Sequence, residues 1–174
     1  MAACSDAGPL IWLEKCDILH LLEKLYSETV IPEAVYEEAV IRGLEKGYED
    51  AQVTKKAIEE GWIRVCKPKK QLTDKVKDRE EQLGIELGEG EREAIALALE
   101  KELSLFLTND EDAYQIGKTL GLDPKGVLHV LLKSIKERHL NVKQAKESLR
   151  KMLEEGFWLS PPIIHGFHEA LDRL

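Results

Sequence analysis

Four acidic residues stand where an α/β chain could use them for chemistry. Asp6 follows a short strand-compatible run, Ala2-Ala3-Cys4-Ser5, and Asp110 closes a second run, Leu103 to Thr108, through Asn109. Functional crevices of open α/β sheets lie beyond the carboxyl ends of the strands, so two aspartates ending predicted strands are candidates for one site. Each also suits the simpler role of capping the helix that follows. Glu91 heads an apolar stripe, since Ala94, Ile95, Ala98 and Leu99 follow it at i+3, i+4, i+7 and i+8. Glu93 lies off that stripe, although an acid in the first turn of a helix is favoured by the dipole in either case. Glu38 sits among Ala34, Val35 and Ile41, and its neighbour Glu37 fits periodicity equally well. Several converging carboxylates repel one another unless a hard cation lies between them, and oxygen donors of this kind suit Mg²⁺ or Mn²⁺. Such a centre activates water and offsets charge on a phosphodiester without any covalent nucleophile.

The elements that must position these acids alternate between strands and helices. A Gly8-Pro9 turn signal precedes a helix beginning at Leu10, with Pro9 suited to its first turn. Asp17 to Tyr26 reads as a second helix, striped by Ile18, Leu19, Leu22 and Leu25. Thr29-Val30-Ile31 reads as a buried strand, and Pro32 opens the helix that carries Glu38. A helix near 49–60 leads into a strand from Trp62 to Cys66, and residues 71–84 form a charged, peripheral helix. Beyond the Glu91 helix and the strand at 103–108, helices are expected near 111–120, 126–138 and 141–155, with a short last one running to Leu174. This alternation predicts an α/β architecture with a central, mainly parallel sheet. No repeat or linker interrupts residues 1–174, which read as one domain with 141–174 as a C-terminal helical extension.

Composition narrows the class. With 43% hydrophobic and 33% charged residues, a chain of 174 residues can bury about 70% of its unfolded surface and is not a disordered one. Its apolar runs are short, with Glu14 and Lys15 interrupting the first, which excludes a membrane-spanning helix and argues against a secretory signal. Cys4, Cys16 and Cys66 form neither a disulfide framework nor a CxxC metal motif, so cytoplasmic residence is expected. The net charge of −8 runs against a generally basic nucleic-acid surface. Local basic segments exist at Lys67, Lys69 and Lys70, and from Lys133 through Lys136, Arg138, Lys143, Lys146 and Arg150 to Lys151. Acids interleave the second segment, so a solvated helix face explains it as well as RNA contact does. Abundant Lys and Glu carry a weak thermophilic signature.

Other chemistries fit less well. His165 and His168 lack an acidic or cysteine partner at ligand spacing and read as surface histidines. Gly88-Glu89-Gly90 lacks the third glycine and preceding strand of a dinucleotide fingerprint. An aspartyl-phosphate mechanism at Asp6 would want a second Asp at position 8, where Gly8 stands.

The segments SDAGPLIWL (5–13), VIPEAVYEEAV (30–40), GEREAIALALE (90–100) and LFLTND (105–110) resemble the successive acidic motifs of the PIN domain. The likeness is closest to a VapC-like prokaryotic branch of largely uncharacterised members, and the tail GFWLSPPIIHGFHEALDRL extends it over nearly the whole chain. The resemblance implies a three-layer α/β/α sandwich and a Mg²⁺- or Mn²⁺-dependent ribonuclease. It implies Asp6, Glu38, Glu91 and Asp110 as the metal-site acids, Asp112 as an auxiliary acid and Glu93 as a possible substitute for Glu91. Thr108 and Asn109 are then expected to orient these carboxylates. It further implies an RNA substrate, a homodimer and an antitoxin partner blocking the acidic pocket. Ala7 and Gly8 depart from the small hydroxyl residue common after the first Asp in relatives, and Val127 and His129 replace an expected Thr and Gly. Those departures leave room for an alternative: a PIN-fold module that binds RNA or protein without cleaving.

Overall fold

The structure, a computed structural model, describes residues 1–48 and 51–174. Its sheet is built from β1 (Ala2–Ser5), β2 (Glu28–Pro32), β3 (Ile63–Cys66), β4 (Leu105–Leu107) and β5 (Asp123–Lys125), in the order β3-β2-β1-β4-β5. Every pairing among them is parallel, with Cys4 opposite both Val30 and Phe106. The order reverses at β1. Its successors β2 and β3 extend one way, while β4 and β5 lie on the other side, so the switch point falls between β1 and β4.

The side-chain period of two explains the layers. Ala3, Ile31, Leu105 and Leu107 face one core, whereas Cys4, Val30 and Phe106 face the other. The first core is covered by α1 (Ala7–Lys15), α2 (Leu21–Leu25), α9 (Val127–Lys136), α10 (Val142–Glu154) and α11 (Pro161–Asp172). The second is covered by α6 (Lys70–Leu83), α7 (Glu89–Glu100) and α8 (Glu111–Thr119). The result is a three-layer α/β/α sandwich. No helix among the described residues is long and apolar enough to cross a membrane.

Several elements differ from the sequence expectation, each for a local reason. The helix expected from Asp17 starts only at Leu21, because Asp17 takes a left-handed backbone (φ 60°) immediately after α1. The helix after Pro32 is not uniform: α3 (Glu33–Tyr36) passes into a π-helical segment (Glu37–Ile41) and then α4 (Arg42–Glu45). The start of the helix expected near 49–60 lies partly outside the described residues, and α5 runs over Ala51–Glu60. Helix α6 is not peripheral, since Val76 is fully buried and Glu80 nearly so. Strand β5 carried no signal: Asp123-Pro124-Lys125 is a poor strand sequence, tolerated because an edge strand can spare the proline's missing donor.

Candidate active site

The site is assembled at the carboxyl edge of the sheet. Asp6 leaves β1 and becomes the N-cap of α1, with Oδ1 accepting from the Gly8 N–H at 3.1 Å. Its own N–H donates to the Leu107 carbonyl (3.1 Å), which binds it across the β1–β4 switch point. Asp6 is only 2% exposed, and its Oδ2 is buried without a hydrogen bond of good geometry. Burial is the main cause that raises its carboxyl to a pKa of about 8; the neighbouring Thr108 hydroxyl and the Gly8 N–H oppose this, and the charges of Glu91 and Asp110 add to it.

Asp110 comes from the other side of the switch point. It caps α8, its Oδ1 accepting from the Ala113 N–H (2.7 Å) while its own N–H donates to Thr108 Oγ1 (3.0 Å). Both aspartates therefore fulfil the capping role as well as sharing the edge. Asn109, between Thr108 and Asp110, accepts from the Val127 N–H at 2.8 Å and so ties this turn to the start of α9. Its Nδ2 is buried and has no hydrogen-bond partner. Gly8 runs between the two groups: a Cβ there would lie 3.5 Å from Asp6 Oδ1 and 3.7 Å from Asn109 Nδ2. Asp112 is an exposed acid in the first turn of α8.

Glu91 reaches the same edge because α7 is the crossover into β4, and Glu38 because α3 and the π-helical segment follow the carboxyl end of β2. A helix returning between parallel strands runs against them, so its N-terminus meets their carboxyl ends. Two glycines admit the carboxylates. A Cβ at Gly88 would collide with the Glu91 carboxylate, and one at Gly90 would come within 3.1 Å of Glu38 Oε2. The Gly88-Glu89-Gly90 pattern thus serves close approach. Burial and then the charge of Glu91 raise the Glu38 pKa, and Arg42 opposes the shift. The π-helical segment bearing Glu38 is a local winding change of a kind that recurs at functional sites.

A buried clasp holds the start of α7. Glu80 accepts from Arg92 Nε (2.6 Å), from Arg92 Nη2 (2.8 Å) and from the Leu87 N–H (2.7 Å), while Arg92 Nη2 also donates to the Leu87 carbonyl (2.7 Å). Burial alone would raise the Glu80 pKa, but the Arg92 and Leu87 hydrogen bonds outweigh it and the net shift is downward. Glu93 points elsewhere: its Oε2 accepts from the Ala34 N–H (3.4 Å) at the start of α3.

Asp6, Glu91, Asp110 and Glu38 thus form a chain of mutually repelling acids along one edge: Asp6 senses Glu91 and Asp110, and Glu38 senses Glu91. Among the described residues, no three His, Cys, Asp or Glu side chains close into a group able to hold a metal ion. Asp6 Oδ2, buried beside other carboxylates, is one oxygen donor of the kind that a hard divalent cation takes.

This arrangement can be set beside known proteins. A family model for the PIN domain matches residues 2–173. The chain belongs to the PIN-domain family. PIN domains are generally nucleases that use divalent metal ions, and the all-parallel three-layer sheet is the fold expected of one. No curated protein matches the chain.

The sequence expectations named neither of two further features of this PIN domain. The Glu80–Arg92 clasp joins α6 to α7 across a separation that periodicity cannot pair. Arg42 lies beside Glu38, and here a signal existed, because the two residues are four apart on one helical run. Half of the cations in the basic segments, by contrast, are engaged by acids. Lys67 pairs with Glu33, Lys69 with Glu100, Lys133 with Glu137, Arg150 with Glu147 and Glu154, and Lys151 with Asp17.

Proposed function

We propose that this PIN domain is a ribonuclease that hydrolyses RNA phosphodiester bonds with a carboxylate-bound divalent ion. The observation carrying the reading is Asp6: a buried carboxylate with a free oxygen, at the switch point of the sheet, flanked by Asp110 and Glu91. Asp6, Glu91, Asp110 and Glu38 would hold Mg²⁺ or Mn²⁺, with Asp112 available as an auxiliary acid. Glu93 is a weaker candidate because it is already bonded to the Ala34 N–H. Bound there, the ion would supply a Lewis acid that activates water and neutralises charge on the phosphodiester. The protein's contribution is positional. Gly8 and Ala113 N–H groups fix one oxygen each of Asp6 and Asp110, and Thr108 links the two acids. In-line attack by water would leave a 5′-phosphate and a 3′-hydroxyl.

The test is RNA cleavage with Mn²⁺ by the native protein, Asp6→Asn and Asp110→Asn. Loss of cleavage in both variants is expected; equal cleavage by all three sinks the reading. The open spacing of the acids favours one rival, a PIN-fold module that binds RNA or protein without cutting it. That rival predicts RNA binding by the native protein with no Mn²⁺-dependent product. Reading the domain as the toxin of a toxin–antitoxin pair adds a second copy of the chain and a small antitoxin as partners and a cytoplasmic setting; one domain over 1–174, with its tail from 141 as an extension, is common to both readings.

A further inference from the structure

Beside Glu38 lies a cavity of about 350 Å³ between α1, the π-helical segment and α4. It is continuous with the acidic edge, since Glu38 belongs to both. Its character is different, however. Lys15, Arg42 and Lys46 bring three cations to its wall, Ile11 an apolar surface and Tyr48 a ring that is 59% exposed. Of the acids facing it, Glu38 belongs to the catalytic edge and buried Glu14 is held by the Thr54 N–H at 3.0 Å. Lys15 is partly engaged, lying 3.8 Å from Glu155 and over the Trp12 ring. Arg42 and Lys46 make no ion pair among the described residues, whereas Lys67, Lys69, Lys133, Arg150 and Lys151 of the basic segments do. Two cations without an ion pair among the described residues and an exposed aromatic ring, next to a centre that would act on a phosphodiester, are the components of a single-strand nucleotide subsite.

We propose that this cavity binds the nucleotide neighbouring the scissile phosphate of a single-stranded RNA. Arg42 and Lys46 contact its phosphate and Tyr48 stacks on its base. The inference rests on the ribonuclease reading and names where that substrate is held. It also answers the net charge of −8: RNA is attracted by a local pair of cations, not by the molecule's overall field.

The experiment uses the full chain carrying Asp6→Asn, so that RNA is bound and not cut. A fluorescein-labelled mixed-sequence single-stranded RNA of twelve nucleotides (about the span of a short groove) is titrated by anisotropy over a series of salt concentrations with Mg²⁺ present. Adding Arg42→Gln and Lys46→Gln together is expected to weaken binding by about tenfold or more. The same pair should flatten the log–log salt dependence by about 1.4, from roughly 0.7 per lost phosphate contact. Tyr48→Ala is expected to weaken binding by about tenfold without changing that slope. Lys143→Gln with Lys146→Gln, an equal loss of charge on α10, controls for the general field and should change neither strongly. The proposal is overturned if the α10 pair and the cavity pair behave alike, or if the Asp6→Asn chain binds no RNA. Poly-glutamate bound as tightly as RNA and released by the same cavity substitutions would also overturn it, assigning the cavity to an acidic protein partner. Cleavage by the native chain separates the two levels of inference. Asp6-dependent cleavage with an unchanged KM in the cavity variants removes the subsite and keeps the nuclease. Absent cleavage, with RNA binding still lost in those variants, removes the nuclease and keeps the subsite.

Discussion

Replacing Asp6 with Asn tests the central carboxylate without activity as the readout. Asn keeps the side-chain oxygen that caps α1, and Asn and Asp are about equal as N-caps, so the local helix is undisturbed. What changes is the charge. In the metal-free protein the Asp6 carboxyl rises from 3.8 to about 8, chiefly because it is buried. A raised carboxyl means the folded state holds its proton more tightly than the unfolded chain. Its stabilising contribution is therefore complete below about pH 4 and is lost as the pH rises through about 8. At about 1.4 kcal/mol per unit, the native protein should lose up to about 6 kcal/mol over that window relative to Asp6→Asn. An amide nitrogen left without a partner would cost the variant about 1–3 kcal/mol at every pH, leaving Asn ahead by a few kcal/mol at pH 9. Urea unfolding from pH 4 to 9, in chelator, measures the difference between the two curves. A saturating divalent ion should restore the native protein's stability at high pH and leave Asp6→Asn unchanged. If the two metal-free curves stay parallel across the window, Asp6 is not held in a desolvated site and the argument fails.

Substitutions at three further residues probe the supports. Glu80→Ala strands the Arg92 guanidinium beside Leu87 and should cost about 3–5 kcal/mol in urea unfolding. Because the Glu80 pKa is lowered, its contribution should be present above the ordinary Glu range and fade as the pH falls below it, so native and variant curves converge in acid. Asp110→Asn retains the acceptor for Ala113 N–H and should lower cleavage by about a hundredfold at unchanged stability, whereas Asp110→Ala should lose about 1 kcal/mol as well. Asn109→Ala leaves the Val127 N–H without its acceptor and should destabilise by about 1–3 kcal/mol, read from the urea midpoint.

Much of this arrangement was legible along the chain because it depends on local rules. Asp6 and Asp110 each end a strand and cap a helix, and both facts follow from which residues tolerate that junction. Glu91 lies in the first turn of α7, whose buried face is broader than the expected stripe and runs unbroken from Ala94 to Ala98, and its arrival at the sheet edge follows from the crossover direction. Contacts between distant segments were not readable. Nothing at Glu93 announces a bond to Ala34, nor does Asn109 announce that it holds α9. The π-helical winding at 37–41 leaves no periodic trace in five residues. Strand β5 exists because β4 offers it a partner, not because Asp-Pro-Lys favours extension.

Cys4 gives the molecule a clock for its own opening. Its thiol is fully buried, donates to the Ala94 carbonyl at 3.1 Å, and is pushed by burial far above the ordinary thiol range. Alkylation needs a solvated thiolate, so reagent reaches Cys4 only when the core around it opens, and the parting of β1 from α7 is one such opening. That seam is the one joining Asp6 to the helix of Glu91. The labelling rate at Cys4, set against partly exposed Cys16 and Cys66, therefore sets an upper bound on how often the two acids separate. A cation bridging them should slow that rate, and one bound elsewhere should leave it alone.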